Sequence, residues 1–373
     1  MLTPPPLIDS GRSGLPSSLT IDRLSKRYGA VLALDEVSIE IERGRFVTLL
    51  GPSGSGKTTL LMAIAGFVAP SSGAISLDGR PINHLPPERR DFGMVFQGYA
   101  LFPHLTVAEN VAFPLRVRRQ PRTEIEASVR RALETVQLAS LADRLPRQLS
   151  GGQQQRAALA RALVFQPKLV LLDEPLSALD KNLRADLQVE LKGLHERLGL
   201  TFVYVTHDQQ EALSMSDEIA ILRDGRLIQK GTPAQLYERP ASRFVAGFLG
   251  RSNFVSGTVE QVSAHSFTYR CGTFALHQSG SETPPYAGTP VLVTVRPEKI
   301  RILAGLQDDS ACNKVVGRVT AFSYLGGLYH LLVDVEHIGR LTVDAPTSRH
   351  VPVVGEAIAL GWDEDASVLV SDE

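Results

Sequence analysis

The chain has 373 residues, 43% of them hydrophobic and 21% charged, with 39 Lys+Arg against 40 Asp+Glu and a formal net charge of −1. That composition excludes wholesale disorder and collagen-like repetition, and the length suits two or three domains. The near-neutral total argues against a nucleic-acid binder held by bulk charge. The total divides unevenly, however: residues 251–373 hold 9 basic and 14 acidic side chains, a balance of −5, leaving 30 basic against 26 acidic, or +4, in residues 1–250. Cys271 and Cys312 have no metal-ligating neighbours at suitable spacing and read as free thiols of a reducing cytosol. No apolar run reaches the roughly 18 residues of a membrane-spanning helix, so the chain is not expected to cross a membrane unaided.

In chain order, residues 1–18 are rich in Pro, Gly and Ser and read as a flexible leader without the features of a signal peptide. Phe46–Leu50 is a continuous apolar run, the pattern of a strand buried on both faces. A glycine-rich turn follows, and then Thr58–Phe67, apolar on nearly every side, predicts a buried helix. Gly73–Gly79 reads as a short strand and turn. Thr123 and Glu126 fit a capping box, predicting a helix that runs to the Leu145 region and stops at Pro146. Leu169–Leu172 and Phe202–Val205 predict further buried strands. Ile219–Leu222, then Asp224-Gly225, then Leu227-Ile228 predicts a hairpin, and Thr232-Pro233 the start of a short helix. This alternation predicts an α/β domain around a largely parallel sheet. After about Phe248 the texture changes to short strand-like runs at Val291–Val295, Val315–Thr320, His330–Val335, Arg340–Val343 and Ala357–Leu360. These predict an all-β unit that begins near Gly250–Asn253.

Three constellations carry chemistry. Gly51-Pro52-Ser53-Gly54-Ser55-Gly56-Lys57-Thr58 fits the phosphate-binding P-loop and lies between a predicted strand and a predicted helix. Its glycines allow backbone N–H groups to turn inward around phosphate oxygens, and the helix that follows points its positive end at them. Lys57 would supply a point charge to the phosphates and Thr58 a hydroxyl to Mg²⁺. Leu169–Leu172 ends in Asp173-Glu174, which would lie beside the P-loop if the two strands are neighbours. Asp173 would then hold Mg²⁺ through water, while Glu174 polarises an attacking water. Leu149-Ser150-Gly151-Gly152-Gln153 opens a helix-forming run, with Ser150 as N-cap and paired glycines that permit close approach of an anion.

Together these motifs resemble the ATP-binding-cassette (ABC) ATPase family over roughly residues 19–240. Other motifs of the family follow in order. Gln97 in Val95-Phe96-Gln97 matches the Q-loop glutamine, implied to contact Mg²⁺ and the water. Ser177-Ala178-Leu179-Asp180 matches the D-loop, His207 the switch histidine at the γ-phosphate, and Tyr28 the aromatic that stacks on adenine. Thr59 joins the residues implied to bind nucleotide. The resemblance implies a RecA-like P-loop core with a helical subdomain at about 98–158, within an ATPase domain at 19–250. It also implies ATP and Mg²⁺ as cofactors. Finally, it implies a head-to-tail pair of cassettes, in which Ser150–Gln153 of one copy closes over the P-loop of the other. His84, His104 and His195 have no such context and read as surface or structural residues.

Within that family the chain is most similar to the ATPase subunits of importers. Exporter halves are fused to membrane helices, and soluble cassettes usually carry two P-loops or long coiled coils. Gln97–Val107 looks like the Q-loop exit of importers that have a separate permease. The segment 251–373 resembles the TOBE regulatory domain, an OB-like β fold, in Val295-Arg296-Pro297-Glu298-Lys299-Ile300 and Ser252-Asn253-Phe254. Its negative charge argues against use on nucleic acid. The widest resemblance is to spermidine/putrescine importers, with iron(III), phosphonate and sugar importers similar, and a soluble non-transport cassette as the alternative. It implies a homodimer or a pair with a similar cassette, permease subunits in the membrane, and, indirectly, a periplasmic or extracellular solute-binding protein. The expected location is the cytoplasmic face of the inner membrane.

Overall fold

The computed structural model describes residues 17–177, 179–281, 283–308, 310–347 and 353–373, so most of the expected leader and Ala178 lie outside the described residues. The chain forms two units, 1–233 and 234–373.

In the first unit, β1 (Leu19–Tyr28) and β2 (Val31–Ile41) form an antiparallel hairpin, closed where Gly29 takes φ +56°. β3 (Phe46–Leu50) leads through the glycine-rich loop into α1 (Lys57–Ala65). β4 (Ser72–Leu77) and β5 (Arg80–Pro81) complete an antiparallel sheet of order β2-β1-β4-β5. β6 (Phe92–Val95) precedes the helices α2 (Val107–Val117), α3 (Arg122–Thr135) and α4 (Gly151–Leu163). β7 (Leu169–Asp173), α5 (Lys181–Leu198), β8 (Thr201–Thr206), α6 (Gln209–Met215) and the hairpin β9 (Glu218–Arg223) and β10 (Arg226–Gly231) follow.

The central sheet has order β10-β9-β3-β8-β7-β6 and is parallel except for β10. Every residue of β3, β7 and β8 is buried, which is why these strands read as unbroken apolar runs rather than alternating ones. Successive side chains face opposite ways. Val47, Leu49, Leu171 and Val205 join a core with Leu60, Leu61 and Ile64 of α1. Phe46, Val170, Leu172 and Tyr204 join another with Leu187, Leu191 and Leu194 of α5.

The expected helix through residues 123–145 is shorter and starts differently. Pro121 precedes α3 without a side-chain cap, and Glu126 pairs with Arg122 at 3.0 Å instead of closing a box with Thr123. The helix ends at Thr135, and Gln137 turns the chain away at φ +58°. A capping box does start α2: Thr106 N donates to Glu109 at 2.8 Å, and Glu109 N donates to the Thr106 hydroxyl at 3.2 Å.

The second unit opens with two short helices, α7 (Pro233–Glu238, beginning at the division itself) and α8 (Arg243–Phe248). Ten strands follow: β11 (Asn253–Val262), β12 (Ser266–Cys271), β13 (Phe274–Ser279), β14 (Pro290–Val295), β15 (Arg301–Leu303), β16 (Asn313–Tyr324), β17 (Leu328–Val335), β18 (Gly339–Pro346), β19 (Ala357–Trp362) and β20 (Ser367–Val370). They make two antiparallel five-stranded sheets, β13-β12-β11-β14-β20 and β15-β19-β16-β17-β18, around one core that includes Tyr269, Val293, Leu331 and Trp362.

The division therefore falls earlier than the expected boundary near residue 250. One cause is Arg296, only 4% exposed, whose guanidinium donates to the carbonyls of Tyr237, Ala246 and Arg251 and to the Ser252 hydroxyl. Ser371 adds a second tie, its backbone accepting from Arg243 N at 2.8 Å and donating to the Ala241 carbonyl at 3.1 Å.

Candidate active site

The P-loop leaves the C-terminal end of β3 and its shape requires glycine. Gly54 and Gly56 take φ +80° and +95°. A Cβ on Gly51 would stand 2.2 Å from the Leu222 carbonyl oxygen, and one on Gly56 would stand 2.6 Å from that of Ala33. Gly56 starts α1 without a side-chain cap, and the first turn carries no acid, so the N–H groups of α1 stay available to an anion. Lys57 is buried; its ammonium donates to the carbonyls of Gly51 (2.8 Å) and Pro52 (2.9 Å). Burial lowers its pKa, against the opposing pull of Glu174 and Asp173.

β3 and β7 are not neighbours, because β8 lies between them. α1 restores the proximity by packing on β7 and β8, so Thr58 in its first turn reaches Asp173, Oγ1 to Oδ1 at 3.4 Å. Burial, together with the neighbouring Glu174, raises the Asp173 pKa; Thr58 and Lys57 oppose the rise.

Glu174 sits just past β7 at φ +43°, its N–H bonded to Val205 O at 3.0 Å, and this turn places its carboxylate between two neighbours. Gln97, after β6, donates from Nε2 to Oε2 at 3.3 Å, and Nδ1 of His207, after β8, lies 3.2 Å from Oε1. Three parallel strands thus deliver Gln97, Glu174 and His207 to one point at their C-terminal ends, where open α/β sheets carry their ligand sites. The paired oxygens of Thr58 and Asp173 are of the hard type that suits a hard cation. Among the described residues no group of three His, Cys, Asp or Glu side chains could hold a metal ion.

The other expected site residues have the following surroundings. Tyr28 is 49% exposed, with the Lys26 ammonium 4.8 Å from its ring centre. Ser150 and Gln153 bond each other as a capping box at the start of α4, at 3.3 and 2.9 Å. Gly151 packs against Leu179, where a Cβ would stand 2.9 Å from Cδ2. Ser177 Oγ donates to the Glu174 carbonyl, and Asp180 caps α5. His195 is buried against Phe46 and Phe202 with Nε2 3.0 Å from Gly44 O, a structural residue as expected. Sequence reasoning missed Arg184, Tyr204, Thr206 and Glu211, which surround the His207 turn. Glu211 in particular is a buried acid (2% exposed), and only its position after the predicted strand end signalled it.

Comparison with known proteins agrees with this geometry. The chain matches the ABC transporter family over residues 34–177 and the TOBE domain over 293–370. It is 45% identical over 367 residues to the spermidine/putrescine import ATP-binding protein PotA of Thermobifida fusca, covering 95% of this chain and 93% of that protein. PotA of Pseudomonas aeruginosa strain UCBPP-PA14 is 45% identical over 359 residues, covering 95% and 99%. The chain belongs to the ATP-binding-cassette transporter ATPases. Among solved structures, the dimeric post-hydrolysis state of the cassette MJ0796 bound to ADP and Pi is similar, with TM-score 0.52 and 36% identity. That match covers 58% of this chain and 98% of the other. As an ABC ATPase the chain binds and hydrolyses ATP, and it carries a TOBE unit of OB-like β structure after the cassette. No helix among the described residues is long and apolar enough to cross a membrane.

Proposed function

We propose that two copies of this chain close around ATP and use its hydrolysis to drive polyamine uptake through a separate membrane permease. The observation that carries the reading is the meeting of Gln97, Glu174 and His207 beside the Lys57 loop. The substrate class rests on relatives named as spermidine/putrescine import proteins, and the pairing on the dimeric MJ0796 cassette. The work site is the cytoplasmic face of the membrane, with permease subunits as direct partners and a solute-binding protein as an indirect one.

In this reading the N–H groups of Gly51–Thr59 cradle the phosphates and the Lys57 ammonium moves from the loop carbonyls to the β/γ oxygens. Tyr28 stacks on the adenine, and Ser150–Gln153 with the 177–180 segment close the site of the partner copy. Thr58, Asp173 and Gln97 would hold Mg²⁺, which would neutralise charge on the phosphates. Glu174 takes a proton from the attacking water, and His207 donates to the γ-phosphate as charge develops there. Glu174→Gln keeps the size of the side chain and a carbonyl oxygen for Gln97. It should retain ATP binding and lower kcat by about 10²–10⁴-fold. Unchanged turnover removes Glu174 from this role. For the substrate, the chain reconstituted with its permease in vesicles should show ATPase stimulated by spermidine with the binding protein; stimulation by sugar or phosphonate alone refutes the polyamine assignment.

A further inference from the structure

Arg184, in the first turn of α5, reaches two loops at once. Its Nη2 donates to the Leu179 carbonyl at 2.9 Å, and its Nη1 donates to Asp208 Oδ2 at 3.2 Å. Its Nε lies 3.8 Å from Glu211 Oε1. Asp208 follows His207 directly. It caps α6 through Oδ1, which accepts from Gln210 N at 2.8 Å and Glu211 N at 3.2 Å. On the other side of His207, the Thr206 hydroxyl donates to Glu211 Oε2 at 2.6 Å and accepts from Asp208 N at 3.0 Å. Tyr204 OH donates to the same Glu211 oxygen at 2.7 Å. The buried Glu211 carboxylate therefore holds Thr206 on one side of His207, the Thr206 hydroxyl and the Glu211 backbone N–H hold Asp208 on the other, and Arg184 reaches both carboxylates.

We propose that Arg184 is a positioning residue that ties the backbone at Leu179 to the His207 turn, so that the register of one loop sets the aim of the other. The proposal rests on the reading of His207 as a γ-phosphate contact. A guanidinium suits the task because its planar fork serves acceptors in separate directions, whereas an ammonium gathers its donors on one nitrogen and reaches less far. Placement matters at this scale: a shift of about 1 Å in a reacting group costs on the order of 10²-fold in rate. The partners also explain why an uncharged substitute fails. Without Arg184, Asp208 and Glu211 lose the cation that the two share, their like charges oppose each other, and burial already disfavours the Glu211 carboxylate.

The test is steady-state ATP hydrolysis by the full chain with Mg²⁺, comparing wild type with Arg184→Gln, Arg184→Lys and His207→Ala. Arg184→Gln should lower kcat about tenfold or more while KM for ATP stays within about twofold. Arg184→Lys, which keeps the charge near Asp208 but gives up the Leu179 carbonyl, should fall between the two. Equal kcat in wild type and Arg184→Gln overturns the proposal, as does a loss shared equally by kcat and KM. If Arg184→Gln does not fold, Arg184→Lys decides, and wild-type kcat in that variant overturns the tie. Full activity in His207→Ala overturns the functional reading beneath it instead, so the two failures are distinct.

Discussion

Replacing Arg296 by Met removes the guanidinium but keeps an unbranched apolar stem of similar length. The structure sets the cost. Four acceptors lose their donor: the carbonyls of Tyr237, Ala246 and Arg251, and the Ser252 hydroxyl. A buried acceptor left unpaired costs about 1–3 kcal/mol, and the Ser252 hydroxyl can turn to other partners. The guanidinium also lies over the Tyr237 ring, 4.0 Å from its centre, worth up to about 2 kcal/mol when desolvated. Against this, the variant no longer buries a charge, and burial already lowers the Arg296 pKa. A net loss of about 3 kcal/mol follows. At roughly 2–4 °C per kcal/mol for a unit of this size, Tm falls by about 6–12 °C. Differential scanning calorimetry of the full chain measures it, read on the transition that ATP does not raise, since ligand binding stabilises only the fold that binds it. A shift below about 2 °C would refute the argument that Arg296 holds α7 and α8 to the β unit.

Gly56→Ala forces a Cβ to within 2.6 Å of Ala33 O at φ +95°. The loop must move, and ATP affinity measured by titration calorimetry should fall at least about tenfold; wild-type affinity refutes the glycine requirement. Asp173 has its pKa raised by burial, so the folded state binds a proton more readily than the unfolded one. Its contribution to stability is present below the unfolded pKa of about 3.9 and is lost as pH rises through the folded value. Asp173→Asn should therefore raise the nucleotide-free Tm at pH 8, with the gain fading toward pH 4, while hydrolysis is abolished; a lower Tm at pH 8 contradicts the sign.

Much of the first unit was legible because its signals are local. A strand covered on both faces has no polar face to show, so Phe46–Leu50 and Leu169–Leu172 stand out as apolar runs. The P-loop was legible because only glycine fits backbone at φ +80° and +95°. The Asp224-Gly225 turn was legible because Asp tolerates and Gly favours the left-handed region, here φ +51° and +78°. The end of α3 was not, because Pro146 is a strong breaker that drew attention from the weaker signal at Gln137. Half of the ten strands in the second unit also escaped notice, among them β11, β12 and β13. Their buried residues alternate with exposed ones among Ser, Thr and Gly, so no run of apolar residues announces them.

The residue types, their order and the local turns that shape the phosphate loop follow from sequence alone, since each depends on backbone freedom and side-chain chemistry over a few positions. Strand order does not. That β8 separates β3 from β7, that α1 nevertheless brings Thr58 to Asp173, and that Arg184 spans from Leu179 to Asp208 are matters of packing between distant segments. So is the membership of α7 and α8 in the β unit, supported by a buried guanidinium 50 residues away from Ala246 and by backbone pairing of Ala241 and Arg243 with Ser371. Such contacts leave no periodic trace in the chain, because the burial that rewards them exists only once the layers have closed.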